Sequence, residues 1–229
     1  MHLKSRVLVL GVLISLALGS VAFAGPGSPA EDAPAPTLNE RIRGVFDAAS
    51  AFDAESQTGR VRRVPSPYTV VDQTGDGQPF YHPRADITVY QARNGPEVMD
   101  LRFWILRRPD TWNTAVTGAV IRIDVTANGP GNDYDVIVVS SPQTGKVAIV
   151  GRAGFQPGQQ NCVSPNVTDL GSSQLGYGYR VRFRFDCIDL QRAFRTRMAF
   201  VYSWFNGDPT PTVDVAPSTT WTPSITPRR

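Results

Sequence analysis

The stretch over 179–187, YRVRFRFDC, decides the fold class of this 229-residue chain. Apolar and charged side chains alternate along it, and successive side chains of a β-strand point to opposite faces of a sheet. The aromatic residues, Val181 and Cys187 therefore lie on the core side, while the three arginines lie on the solvent side. The stretch predicts a strand in an antiparallel sheet that has one buried face and one solvated face.

Seven further segments are rich in Val, Ile, Phe and Tyr and are bounded by Gly, Pro, Asn and Asp, which is typical of strands between turns. They are 68–72, 86–93, 97–106, 119–126, 133–140, 146–152 and 197–205. Closely spaced strands with little helix predict an all-β fold over 64–217, an antiparallel β-sandwich that is jelly-roll-like. Ahead of it, Thr37 and Glu40 have the spacing of a capping box, so we expect a short N-terminal helix and a loop over 37–63.

The first 24 residues have the layout of a secretory signal peptide. Lys4 and Arg6 precede an apolar run over 7–18, and Ala22-Phe23-Ala24 forms an A-x-A cleavage site. An uncleaved membrane anchor is the alternative, because the apolar run is near the lower length limit for crossing a bilayer. We expect a secreted, extracellular protein without a membrane span after signal removal. A flexible lead over 25–36 and a disordered Thr/Pro-rich tail over 218–229 are expected at its ends.

The charge balance gives little support to nucleic-acid binding. The chain has 23 Lys and Arg against 20 Asp and Glu, a formal net charge of +3. Two of the bases and none of the acids lie in the signal peptide, so the mature charge falls to +1 and we expect no nucleic-acid partner. Arg180, Arg182 and Arg184 form either a positive stripe for an anionic polymer or a solvated sheet face. The alternation itself favours the solvated face.

The two cysteines, Cys162 and Cys187, are expected to form a disulfide, since an exported chain meets an oxidising compartment. A reactive or metal-binding thiol pair is the alternative. The bond would tie a long polar loop over 154–176 to the core edge of the strand that ends at Cys187.

No catalytic residue is predicted. His82 is the single histidine after the signal peptide, and it lies in a loop without a nearby nucleophile motif such as G-x-S-x-G. An Asp-dependent hydrolase remains an alternative, because the sequence does not show whether two aspartates face each other across a cleft.

The most distinctive polar cluster is the loop DQTGDG over 72–77, followed by Asp86 at the start of a strand. Carboxylate and carbonyl oxygens in such a loop can surround Ca²⁺, although the spacing is not that of an EF-hand. The alternative, which these residue types favour, is an ordinary turn, in which Asp caps backbone amides and Gly permits positive φ. Asp72, Asp76 and Asp86 are the candidate metal ligands, and Ca²⁺ is the candidate cofactor.

This layout, D-x-x-G-D and then D-I at a strand start, together with Asp214-Val215-Ala216-Pro217, resembles secreted bacterial β-sandwich domains of the carbohydrate-binding module family 9-like and DOMON-like group. The resemblance covers 68–217 and implies a fold more than a function, because members bind sugars or haem or have no assigned role. It also makes the three aspartates metal or loop-structuring residues.

Each ligand class sets its own requirement. A sugar site needs exposed aromatic faces beside polar groups, for which the candidates are Trp112 and Tyr81; Trp104 and Trp204 are expected in the core. A haem site needs Met or His ligands, for which the candidates are His82, Met99 and Met198.

The function predicted from the sequence is therefore a secreted, non-catalytic, monomeric β-sandwich domain that binds a ligand or cell-surface component, with a glycan as the expected class. A secreted structural or protein-interaction domain with no small-molecule site is the alternative.

Overall fold

The protein is described by a computed structural model. It covers residues 35–50, 62–79, 81–109, 112, 116–125, 133–141, 145–164, 166–188, 193–203, 210–217 and 221–227. The expected signal peptide, most of the expected flexible lead, and Trp204 lie outside these residues. Within them, no helix is both long enough and apolar enough to cross a membrane.

One helix and thirteen strands make up the described structure. The helix α1 is Leu38–Ser50. The strands are β1 Arg63–Pro65, β2 Tyr68–Val71, β3 Ile87–Asn94, β4 Val98–Ile105, β5 Gly118–Asp124, β6 Tyr134–Ser141, β7 Gly145–Arg152, β8 Cys162–Ser164, β9 Val167–Ser173, β10 Gly176–Arg184, β11 Arg195–Tyr202, β12 Thr212–Ala216 and β13 Ser224–Thr226.

Two antiparallel sheets form a sandwich, which confirms the predicted all-β class. One sheet has five strands in the order β2-β3-β4-β10-β9, and the other has six in the order β12-β11-β5-β6-β7-β8. Every strand pair within these two sheets is antiparallel.

The main core lies between the sheets. Phe103, Val181 and Phe183 of the five-stranded sheet and Ile121 and Phe200 of the six-stranded sheet belong to one buried cluster. The predicted alternation in β10 is confirmed, because Tyr179, Val181 and Phe183 are buried while Arg182 and Arg184 are exposed.

The outer face of the six-stranded sheet is also buried, and α1 covers it. Ile42 and Val45 of the helix belong to a second cluster with Ile137 and Val139 of β6. A strand that is buried on both faces needs apolar residues at consecutive positions, which explains the run VIVV in β6. The capping box is also confirmed. The Thr37 backbone N–H donates to Glu40 Oε2 at 2.6 Å, and the Glu40 N–H donates to Thr37 Oγ1 at 3.3 Å.

The predicted disulfide between Cys162 and Cys187 is present and joins β8 to the turn that follows β10. It therefore links one sheet to the other. The segment over 154–176, expected to be a loop, contains two strands, β8 and β9.

The C-terminal segment differs from the disordered tail expected over 218–229. β13 pairs in parallel with β1, and the backbone groups of Ile225 and Phe194 exchange two hydrogen bonds of 3.2 and 2.7 Å. Trp221 and Ile225 are buried. These two apolar side chains, spaced among Thr, Ser and Pro, supply the burial that an all-polar tail lacks, so the folded domain extends through residue 227.

Candidate metal centre

Four aspartates converge where the edges of the two sheets meet. Asp72 directly follows β2, Asp76 lies in the loop between β2 and β3, Asp86 directly precedes β3, and Asp214 lies on β12. One carboxylate oxygen from each of Asp72, Asp76 and Asp214 lies within 4.8 Å of the others. Residues that are far apart in sequence therefore bring their carboxylates to one point.

Backbone pairing explains the convergence. β2 and β3 are antiparallel neighbours, so the loop between them returns to the sheet edge where it began. Gln78 and Val213 exchange two backbone hydrogen bonds, both 2.7 Å long, and these hold the loop against β12. The Ile87 N–H donates to Asp214 Oδ2 at 2.6 Å, which fixes the Asp214 side chain beside the start of β3.

The loop is also a turn, as the alternative interpretation predicted. Gly75 has φ of +92°, a conformation that L side chains rarely adopt. Its N–H donates to Asp86 Oδ2 at 3.1 Å, so Asp86 caps the turn. The turn and the metal site are therefore compatible, because the turn positions the carboxylates.

Burial raises the free energy of the ionised form of these aspartates. The exposed fractions are 9% for Asp72, 0% for Asp86 and 2% for Asp214. Burial, followed by repulsion from Asp76, raises the pKa of Asp72 to about 7. Burial, with repulsion from Asp72 and Asp76, raises the pKa of Asp214 to about 8. The site is thus poised to gain positive charge, either protons or a cation.

Three buried carboxylate oxygens have no hydrogen-bond donor among the described residues: Asp72 Oδ2, Asp76 Oδ1 and Asp86 Oδ1. None of these carboxylates forms an ion pair with a described residue. A buried carboxylate oxygen without a partner carries a large desolvation cost. A hard cation with oxygen ligands would remove that cost, and Ca²⁺ accepts six to eight such ligands in flexible geometry.

Two of the three converging carboxylates, those of Asp72 and Asp76, are among the candidate metal ligands that the sequence predicts. Asp86, the third predicted ligand, lies next to them, but one of its oxygens binds the Gly75 N–H instead. Asp214 belongs to the segment that resembles the closing segment of the family, and the sequence does not predict it as a ligand. No local spacing links Asp214 to the loop, because the connection depends on strand pairing between distant segments.

The two candidate sugar-binding aromatic residues have different environments. Trp112 is 8% exposed, donates from Nε1 to the Tyr179 hydroxyl at 3.1 Å and packs edge-on against Phe200. Its ring therefore offers no platform at the surface, which corrects the expectation for this residue. Tyr81 is 51% exposed, and partial burial, followed by the charge of the nearby Asp86, raises the pKa of its phenol.

The other aromatic and haem candidates are explained by packing. Trp104 was expected in the core, yet it lies on the outward side of β4 and is only partly buried, against Gly178. The His82 ring stacks on Tyr202, with 4.8 Å between ring centroids. Met99 and Met198 are fully buried core residues on different sheets.

Comparison with known proteins adds no family. The chain matches no family model, no curated protein and no solved structure, so its function is argued from the residues described above.

Proposed function

We propose that this protein is a secreted, non-catalytic β-sandwich domain that binds Ca²⁺ at the aspartate cluster and binds a glycan or another cell-surface component elsewhere on its surface. The cation binds carboxylates from the loop between β2 and β3 and from β12, and so connects the two sheets. The observation that carries the cation proposal is the set of three buried carboxylate oxygens without donors.

Calcium suits the cluster better than Mg²⁺ does. The carboxylates come from a turn and from a separate strand, and this arrangement can adapt to the flexible coordination of Ca²⁺. Mg²⁺ demands near-ideal octahedral geometry and retains several waters, and the burial of Asp72 and Asp214 disfavours such waters.

Burial also separates this proposal from an Asp-dependent hydrolase. A glycosidase needs two carboxyl groups that both reach the scissile bond of a substrate. Asp86 is fully buried and Asp214 is 2% exposed, so the cluster is suited to holding an ion rather than a polymer.

Thermal unfolding of the exported protein, in CaCl₂ and in EDTA, tests the cation proposal. Binding to the native state alone stabilises it by about 2.7 kcal/mol when free Ca²⁺ is about 100 times Kd. We expect Tm to rise with CaCl₂ in the wild-type protein. Asp72→Asn and Asp214→Asn should abolish that rise.

Asp47→Asn is the matched control, because Asp47 is an exposed aspartate on α1. It should keep the full Ca²⁺ response. The same Tm in CaCl₂ and EDTA, combined with no heat of Ca²⁺ binding in calorimetry, would show that the cluster holds protons instead and would overturn the proposal.

A further inference from the structure

A cleft of about 470 Å³ opens at the edge of the sandwich where β8 faces β10. Val98, Phe183 and the Cys162–Cys187 disulfide line it with apolar surface, while Asn166, Arg182 and the ion-paired Arg184 and Asp186 supply polar groups. An apolar cavity of this size with a few convergent polar groups is typical of a small-ligand site. The cleft is separate from the aspartate cluster and shares no residue with it.

The outward positions of β3, β4 and β10 carry a marked excess of positive charge beside this cleft. Strand alternation and pairing place five arginines there and a single carboxylate, Asp100. A second carboxylate, Asp186, follows β10 and lines the cleft, and it is paired with Arg184 at 3.1 Å. The arginines are Arg93, Arg102, Arg180, Arg182 and Arg184.

Asp100 is already occupied by two of these arginines. Arg102 Nε donates to it at 3.1 Å, and Arg180 donates to both of its oxygens, through Nε at 3.0 Å and also through Nη2. Burial raises the pKa of Asp100, but the hydrogen bonds and charges of Arg180 and Arg102 outweigh it, so the pKa is lowered. The charge of Asp100 is thus already paired with Arg102 and Arg180.

The two arginines directly opposite Asp100 in the strand register, Arg93 and Arg182, are left without it. Arg93 Nε is buried and has no acceptor within the part of the chain that the structure describes. The exposed Arg182 side chain makes no hydrogen bond or ion pair to any described residue, and it lines the cleft. The exposed guanidinium of Arg182 is therefore available to an external anion at the cleft.

We propose that the cleft and the adjoining arginines bind an acidic polysaccharide, with a sugar carboxylate paired to the guanidinium of Arg182. A guanidinium presents a planar fork that matches a carboxylate with two parallel hydrogen bonds. Asn166 lies on the cleft wall and offers an amide to sugar hydroxyls. This proposal gives the chemistry of the ligand for the proposed binding role, so it rests on that role but not on the cation.

A nucleic acid fits the same charge less well. Proteins that bind single strands stack the bases on aromatic side chains. Phe183 is the single aromatic residue in the described cleft lining, and it is 2% exposed, so its ring offers no stacking surface.

Binding of fluorescent hyaluronan oligosaccharides, measured in EDTA by fluorescence anisotropy, tests the proposal. The comparison ligands are neutral dextran of similar size and an oligo-dT of similar charge. We expect hyaluronan to bind, to be released by salt, and to bind more tightly than either comparison ligand. Equal binding of dextran, or tighter binding of oligo-dT, would overturn the proposal.

The variants Arg182→Gln, Arg182→Lys and Arg43→Gln locate the site. Loss of a charged hydrogen bond predicts about 10-fold to 100-fold weaker binding for Arg182→Gln. Arg182→Lys should be intermediate, because it keeps the charge but loses the fork. Arg43 is exposed on α1, so Arg43→Gln should bind as the wild type does. Equal weakening by Arg182→Gln and Arg43→Gln would show non-specific charge attraction and overturn the site.

Asp72→Asn separates the two proposals. Its melting point should lose the response to Ca²⁺, while its affinity for hyaluronan in EDTA should stay at the wild-type value. Loss of hyaluronan binding in a variant that still folds, as judged by near-UV circular dichroism, would contradict the independence of the cleft from the cation site. Failure of hyaluronan to bind the wild type would leave the Ca²⁺ response intact and overturn only the ligand.

Discussion

At the scale of the residue, the most informative side chains are those that break the usual rules for burial. Asp214 is 2% exposed, and its two oxygens accept backbone N–H groups from Ile87 and Val215 at 2.6 and 2.8 Å. Those two hydrogen bonds favour the ionised form, yet burial and the neighbouring carboxylates outweigh them and raise the pKa. Burial and the neighbouring carboxylates therefore make Asp214 a strong binder of a proton or a cation.

The pH dependence of stability in EDTA follows from these raised pKa values. The usual pKa of an aspartate is 3.8, whereas Asp72 and Asp214 titrate at about 7 and about 8 in the folded protein. The unfolded chain releases its protons first, so this contribution to stability is fully present below the unfolded pKa and is lost as pH rises toward 8. We expect Tm in EDTA to fall over this range.

Calcium should remove that fall, because metal binding requires deprotonated carboxylates and strengthens as pH rises. Scanning calorimetry across the same range, in EDTA and in CaCl₂, measures both effects. The double variant Asp72→Asn and Asp214→Asn is the control and should show a flatter Tm in either buffer. A Tm in EDTA that rises with pH across this window would contradict the assignment.

At the scale of the element, α1 acts as the cover for one face of the six-stranded sheet. Ile42 and Val45 pack into the same cluster as Ile137, Val139 and Val201. Most of the stability of a short surface helix comes from such packing rather than from intrinsic propensity.

Ile42→Ala should lower the free energy of unfolding by about 2–5 kcal/mol, since Ile42 is 4% exposed. Asp47→Ala, on the exposed side of the same helix, should change it by less than about 0.5 kcal/mol. Urea unfolding of both variants gives the comparison. Equal small effects would mean that α1 does not contribute to the stability of the sandwich.

The strands that the sequence predicts are those whose burial leaves a visible pattern of apolar residues. β10 has one solvated face and alternates between apolar and charged residues, while β6 has two buried faces and a continuous apolar run over 136–139. β9 was missed because it is an edge strand whose side chains are largely exposed, so its sequence VTDLGSS carries no burial pattern. β1 and β13 were missed because each has three residues and lies among prolines.

Only the part of the candidate site that lies within one short stretch of sequence was predictable. Asp72 and Asp76 lie in one turn and were found by their spacing. Asp214 joins them through the pairing of Gln78 with Val213, which is a property of the tertiary structure. Trp112 shows the converse case, since its place in a loop gave no sign that its ring packs between Tyr179 and Phe200.

At the scale of the whole molecule, two linkages join segments that are distant in the sequence or lie in different sheets. The Cys162–Cys187 bond connects β8 to the turn after β10. The pairing of β13 with β1 brings residue 224 beside residue 63. The C-terminal segment is thus part of the folded domain.

A chain that ends at Pro217 should be less stable than the full chain by at least about 2–5 kcal/mol, the cost of losing one buried Ile side chain, because it lacks Ile225. A chain that ends at Pro227 keeps β13 and is the control. Urea unfolding compares the two chains. Identical midpoints would mean that β13 adds nothing to stability.

The β1–β13 pairing also constrains the order of folding events. β1 has its native partner only after the chain has been made through residue 226, because the three register pairs join 63–65 to 224–226. Contacts between segments so distant in sequence require closure of a large loop before they stabilise the chain, and this slows folding. The pairing of β1 therefore lags well behind the synthesis of β1 itself, because its partner is the last of the described strands to be made.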